Sequence, residues 1–117
     1  MNYIYQVWEY YDNCEKWSED QIDYDMCVRN FASLSDAVAF ANEYMQKRAQ
    51  EAITDMSEFY EDWPLPEFHF RRRITTQIYP IRPVDEHKYS DGTIYRGRCV
   101  PYTHTYCEFT IRKVPLY

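Results

Sequence analysis

The chain has 117 residues, enough to enclose one core but too few for two ordinary ones, so a single domain spanning 1–117 is expected. Its hydrophobic content of 45% is that of a globular protein, and no stretch approaches the ~18 apolar residues of a membrane span. The formal charge of −6 is unevenly placed: residues 1–62 hold 14 carboxylates against 4 Lys or Arg, whereas residues 63–117 hold 5 against 9, a polarity that speaks to partners rather than to fold.

Met1 to Tyr5 lacks the basic start of a secretory signal, and Glu9 and Asp12 interrupt any apolar run, so a cytoplasmic protein is expected. In that setting Cys14, Cys27, Cys99 and Cys107 are expected to be thiols. Their spacing matches no zinc knuckle, and the trio Cys99, His104 and Cys107 lacks an evident fourth ligand, so neither metal nor cofactor is expected. The 13 Tyr, 6 Phe and 3 Trp suit either a small core filled with large rings or a contact surface.

In chain order, Tyr3 to Tyr11 places Tyr3, Tyr5 and Val7 on one face and Ile4, Gln6, Trp8 and Tyr10 on the other, which predicts a central strand covered at least partly on both sides. Asp12 to Asp25 has no apolar period and reads as a long acidic connection, and Met26 to Phe31 as a second strand. Ser33 stands where an N-cap is wanted, with Asp36 three residues on. Apolar residues then recur at Leu34, Val38, Ala41, Met45, Ala49, Ala52, Met56 and Phe59, the spacing of one helical face, until Trp63-Pro64-Leu65-Pro66 ends it. A helix over 34–62 is about 43 Å long at ~1.5 Å per residue, a length that admits a break near Gln50.

Period two returns in the second half. Phe68, Phe70, Arg72, Ile74, Thr76 and Ile78 share one face of a predicted strand, with His69, Arg71, Arg73, Thr75, Gln77 and Tyr79 on the other, and Pro80 and Pro83 are expected to end it. Ser90-Asp91-Gly92-Thr93 is a turn signal between two short extended pieces, and a last strand over about Thr103 to Val114 turns Cys107, Phe109 and Ile111 inward. The expected fold is α+β: an antiparallel sheet of four or five strands packed against one long helix.

The run Phe31-Ala32-Ser33-Leu34-Ser35-Asp36-Ala37-Val38-Ala39-Phe40-Ala41, followed much later by Phe109-Thr110-Ile111-Arg112-Lys113-Val114, resembles small bacteriophage and mobile-element proteins of strand-strand-helix-strand type. Those families include anti-CRISPR inhibitors of bacterial defence. The likeness covers residues 1–45 and 105–115, and it implies an inhibitor without assigning any functional residue.

The polar side of the helix is the more specific signal. Asp36, Glu43, Glu51, Asp55, Glu58, Glu61 and Asp62 fall within a sector of about 120° opposite the apolar stripe, with Lys47 among them and Phe40 and Tyr44 in or beside the sector. Glu51 with Asp55 and Glu58 with Asp62 are like-charge i,i+4 pairs, each expected to cost roughly 0.2–0.5 kcal/mol. One reading is a solvated face, neutralised by Arg71, Arg73, Arg96 or Arg98. The other is a partner-binding surface formed by Phe40, Glu43, Tyr44, Glu51, Asp55, Glu58 and Asp62, which docks without catalysis on a basic groove of a host nucleic-acid-handling protein such as a CRISPR effector or another defence nuclease. Phe40 is expected to be covered by the sheet, the acidic loop or that partner.

The basic strand carries a different class of hypothesis. His69, Arg71 and Arg73, with Tyr79 further along, form an Arg and aromatic face of the kind that holds phosphates and stacks bases in RNA or single strands. The total charge of −6 opposes a polyanion, and the same arginines can instead pair with the protein's own carboxylates. The enzymatic variant is a metal-independent ribonuclease using His69 or His104, but no catalytic motif accompanies these residues.

Overall fold

The aromatic and β-branched run at the N-terminus forms β1 (Tyr3–Asp12), which pairs antiparallel with β2 (Asp23–Phe31) in the computed structural model of the chain. The structure describes residues 2–12, 19, 23–61, 77–102 and 105–116. After β2 come α1 (Leu34–Glu61), β3 (Gln77–Pro83), a short 3-10 turn (Glu86–Lys88), β4 (Thr93–Tyr102) and β5 (Thr105–Pro115). The strands make one five-stranded antiparallel sheet in the order β2-β1-β5-β4-β3, and α1 packs on one face of it, an α+β fold.

Ser33 starts the helix as its spacing predicts. Its backbone carbonyl accepts from Ala37 N at 3.1 Å, and its Oγ accepts from Asp36 N at 3.5 Å, which satisfies donors that the first turn leaves open. The helix is unbroken over 28 residues, with no interruption at Gln50. Its inner stripe is Ala37, Ala41, Met45 and Ala49, all buried; three of the four are alanines, so the helix backbone sits close over the sheet. Beneath it lie Val7 of β1, Cys107, Phe109 and Ile111 of β5, Ile94 and Cys99 of β4 and Ile81 of β3. Cys107, Phe109 and Ile111 face inward, as the alternation predicts.

The two flanks of α1 meet different strands. Phe40, Tyr44 and Arg48, four residues apart, run along the β1–β2 side: Phe40 meets the Phe31 ring at 5.2 Å, and Tyr44 meets Phe40 at 5.5 Å and Phe109 at 5.8 Å. On the opposite flank Asn42 Oδ1 accepts from Ile81 N at 3.2 Å.

That bond explains a departure from the sequence pattern. Of the two prolines expected to end a strand, Pro83 ends β3 but Pro80 does not: the strand continues through it, with a register shift between Tyr79 and Arg82. Because β3 is the sheet's edge, a residue without an N–H is tolerated there, and the bulge turns the next N–H toward the helix, where Asn42 receives it. Ile81 then closes over Gly97 of β4, where an added Cβ would come within 2.7 Å of the Ile81 Cδ1. The earlier part of that predicted strand, 68–76, lies outside the described residues.

At the other end of β4, Asp91 Oδ1 accepts from Thr93 N at 3.0 Å and Thr93 Oγ1 at 2.6 Å, and Gly92 adopts φ 88° against the Lys113 carbonyl, so the turn signal at 90–93 is a real turn. β1 is interior to the sheet, between β2 and β5. Its inner face is covered by α1, and Ile4, Gln6 and Trp8 of its outer face are half-buried.

Candidate functional site

Glu9 extends the inward face of β1, two residues beyond Val7, and its side chain is fully buried. A bare carboxylate there would be very costly, so its oxygens are saturated. Oε2 accepts from Arg48 Nε at 3.1 Å, while Oε1 accepts from the Tyr24 hydroxyl at 3.0 Å, the Tyr44 hydroxyl at 3.3 Å and Arg48 Nη2 at 3.3 Å. One strand carboxylate thus ties together β2 and α1. Burial and the bond to Glu9 raise the Tyr24 hydroxyl's pKa above its usual value, and burial beside Glu9 raises that of Tyr44. Burial opposes the Arg48 charge, but the hydrogen bonds and charge of Glu9 outweigh it and hold the guanidinium protonated. With its side chain 1% exposed, the carboxylate is turned to the interior rather than to a substrate. Its role in this geometry is to clamp the helix to the sheet.

The outward side of α1 carries the acidic stripe. Asp36, Glu43 and Glu51 are exposed, beside exposed Lys47. Glu51 also receives Arg48 Nη1 at 3.3 Å, an i,i+3 pair that softens the stripe at that point. Because the backbone stays helical to Glu61, positions 51, 55 and 58 recur on one face with no break in register. From Leu34 to Glu61 the helix holds six carboxylates against Lys47 and Arg48.

Arg29 of β2 lies on the α1 side, beside Phe40, but Arg96 and Arg98 of β4 do not. By alternation Arg96 and Arg98 lie opposite Thr110 and Glu108, on the face turned away from α1. Arg96 Nε sits 2.9 Å from Glu108 Oε1, its Nη2 donates to Glu108 Oε2 at 3.0 Å, and Tyr106 donates to the same oxygen at 2.7 Å. Burial works against the Glu108 charge, but the Arg96 and Tyr106 hydrogen bonds overcome it and hold the carboxyl below its usual range. Arg98 lies over the Tyr79 ring at 4.2 Å, and Arg112 over Trp8 at 3.9 Å.

The predicted site residues separate as follows. Of the three coverings left open for Phe40, the sheet is one: Phe40 and Tyr44 are half-buried against Phe31 and Phe109, with Arg29 5.5 Å from the Phe40 ring. Glu43 and Glu51 are on the helix surface. The side chains of Asp55 and Glu58, and all of Asp62, lie outside the described residues, as do His69, Arg71, Arg73 and His104. Tyr79 is on the open sheet face, paired with Arg98 rather than with the basic run before it. No cluster of His, Cys, Asp and Glu suited to a metal occurs among the described residues. Cys99 and Cys107 stand opposite one another on β4 and β5, and burial pushes their thiols up to about 11 and about 12, which disfavours nucleophilic thiolate at neutral pH.

Glu9 and Arg48 are a buried pair that the sequence pattern did not single out. The signal was present, since period two carries the Tyr3, Tyr5, Val7 face onto Glu9. No helix of the described chain is long and apolar enough to cross a membrane. Comparison of the chain with protein-family models, curated proteins and solved structures finds no match.

Proposed function

We propose that this chain is a non-enzymatic interaction protein that occludes a basic, nucleic-acid-binding surface of a partner with the carboxylate row of α1. The observation that carries this reading is the separation of charge. The helix is continuous through Glu61, while Arg96 and Arg98 are committed to Glu108 and Tyr79 on the opposite face of the sheet. Arg96 and Arg98 are thereby turned away from the exposed carboxylates of Asp36, Glu43 and Glu51.

Carboxylates at 51, 55 and 58 rise along the axis in steps of about 4.5–6 Å, the same order as the ~3.4 Å phosphate rise of a duplex strand. A basic groove built for phosphates meets comparable spacing and sign. The resemblance of the helix start to phage proteins makes a CRISPR effector or another defence nuclease of the host cytoplasm the partner of choice. Recognition by charge steers association and weakens with salt.

The test is competition. The protein is titrated into a purified CRISPR effector nuclease holding labelled DNA, at low and high ionic strength, alongside direct polarisation titrations against RNA and single-stranded DNA. Displacement that weakens with salt and is lost on joint reversal of Glu51, Asp55 and Glu58 to Lys is the expected result. Direct binding of either nucleic acid, or displacement insensitive to salt, points instead to the sheet-face reading and overturns this one.

A further inference from the structure

On the sheet face turned away from α1, Thr93 and Thr110 are buried, and the side chains around them are those of a contact surface. Trp8 lies under Arg112, Tyr10 and Tyr106 meet edge to face at 6.1 Å, and Arg98 covers Tyr79. Tyr10 is 37% and Tyr79 42% exposed. Trp, Tyr and Arg are the side chains that anchor protein interfaces.

Charge is sorted across this face. Asp12, Asp23 and Asp25 occupy the β1–β2 side, and Arg82, Arg96 and Arg98 the β3–β4 side. Between them on β5 stand Glu108 and Arg112, the latter reaching Asp25 at 3.5 Å and Asp91 at 3.6 Å. At both sides like charges stand directly opposite in the register, Asp12 with Asp23 and Arg82 with Arg96, where Tyr10 donates to Asp12 at 3.4 Å and Glu108 holds Arg96 at 2.9 Å.

A nucleic acid matches the basic side and is repelled by the acidic one, and a basic protein does the reverse. A second copy of this chain matches both. A two-fold axis parallel to the strands above β5 lays β2 of one protomer across β3 of the other, so each acidic side meets a basic side, twice by symmetry. Five strands ~4.8 Å apart and roughly seven residues long present a face on the order of 600 Å² per protomer, about 1,200 Å² in the pair, at the lower end of stable interfaces.

We infer that the open face of the sheet is a self-docking surface through which two copies of this chain form a face-to-face dimer. Because α1 lies on the other side of each sheet, the dimer presents its acidic helices outward in opposite directions. The inference stands apart from the identity of any partner for those helices.

The experiment is light-scattering mass in solution at about 100 μM. Two 14.4 kDa chains per particle are expected at low salt for the wild-type protein, with the mass falling toward one chain at high salt. An acidic-side variant, Asp23→Lys with Asp25→Lys, and a basic-side variant, Arg82→Glu with Arg98→Glu, are each expected to be monomeric, with folding checked by circular dichroism. Mixed in equal amounts they regain the dimer, because both symmetry-related contacts are then opposite in sign. A wild-type monomer at low salt overturns the inference without any variant. So does a dimer that survives both reversals, or a mixture of folded variants that stays monomeric.

Discussion

The molecule uses the same chemistry twice, on the two faces of one sheet. Under the helix, Glu9, Arg48, Tyr24 and Tyr44 form a carboxylate–guanidinium–tyrosine cluster whose members come from β1, α1 and β2 and lie up to 39 residues apart in sequence. On the open face, Glu108, Arg96 and Tyr106 repeat it within the β4–β5 hairpin, 12 residues apart at most. The Glu9 side chain is 1% exposed, whereas Glu108 is 22% and Arg96 35%. Chemistry being equal, burial and chain separation decide that the first cluster holds two layers together and the second trims a surface.

The largest expected effect follows from removing the cation of the buried cluster. Arg48→Met leaves the Glu9 carboxylate desolvated with only two hydroxyls, at a cost of about 3 kcal/mol, the low end for a broken buried pair because Arg48 keeps a solvent-facing side. Replacing both, Glu9→Met with Arg48→Met, is expected to restore most of it, since no charge is then stranded. Urea midpoints of the two single variants and the double variant measure this, and equal losses for Arg48→Met and Arg96→Met would erase the distinction between the faces.

Alkaline pH strikes the same side next, because several groups contribute. The thiols of Cys99 and Cys107 are held protonated up to about 11 and about 12 by burial, against 9.0 ordinarily, and Tyr24 and Tyr44 are likewise raised above 10.0. The unfolded chain releases these protons first. Stability is therefore full below pH 9 and drains as pH rises through 11 and 12. Denaturation midpoints taken at pH 8, 10 and 11 should fall in that order, and a Cys99→Ala, Cys107→Ala double variant should show a shallower slope.

On the open face, Arg96→Met is expected to cost about 1 kcal/mol, because the pair is partly solvated and joins neighbouring strands. Its acid signature has the opposite sign: Glu108 is held below 4.5 when folded, so its contribution is present above that value and is lost as pH falls through the depressed one. Arg96→Met should therefore flatten the loss of stability below pH 4.5. The smallest effect belongs to the helix surface. Asp55→Asn removes the i,i+4 repulsion with Glu51 and should stabilise by roughly 0.2–0.5 kcal/mol, visible as a small rise in the thermal midpoint while partner binding declines. A destabilisation instead would mean that Asp55 has a compensating partner within the fold.

Much of the scaffold was legible because it rests on short-range rules. Ser33 and the four-residue apolar recurrence mark α1, and alternation alone turns Phe109 and Ile111 inward. Pro80 misled because its tolerance depends on β3 being an edge, which follows from the sheet order and not from the neighbours of Pro80. The candidate site was legible in sign but not in commitment. The carboxylates of α1 can be counted in the sequence, yet which arginines answer them depends on which face of the sheet Arg96 and Arg98 occupy.

By itself, then, the sequence determines the α+β class, the helix with its capped start and acidic side, and the split of charge between the two halves, all from periodicities of two and 3.6 residues and from composition. Only the tertiary structure decides that Glu9 finds Arg48, that Arg96 and Arg98 turn away from the helix, and that the sheet face opposite α1 carries acid on one side and base on the other. Those outcomes depend on strand order and register. They bring together residues dozens of positions apart, and no local preference encodes such pairings.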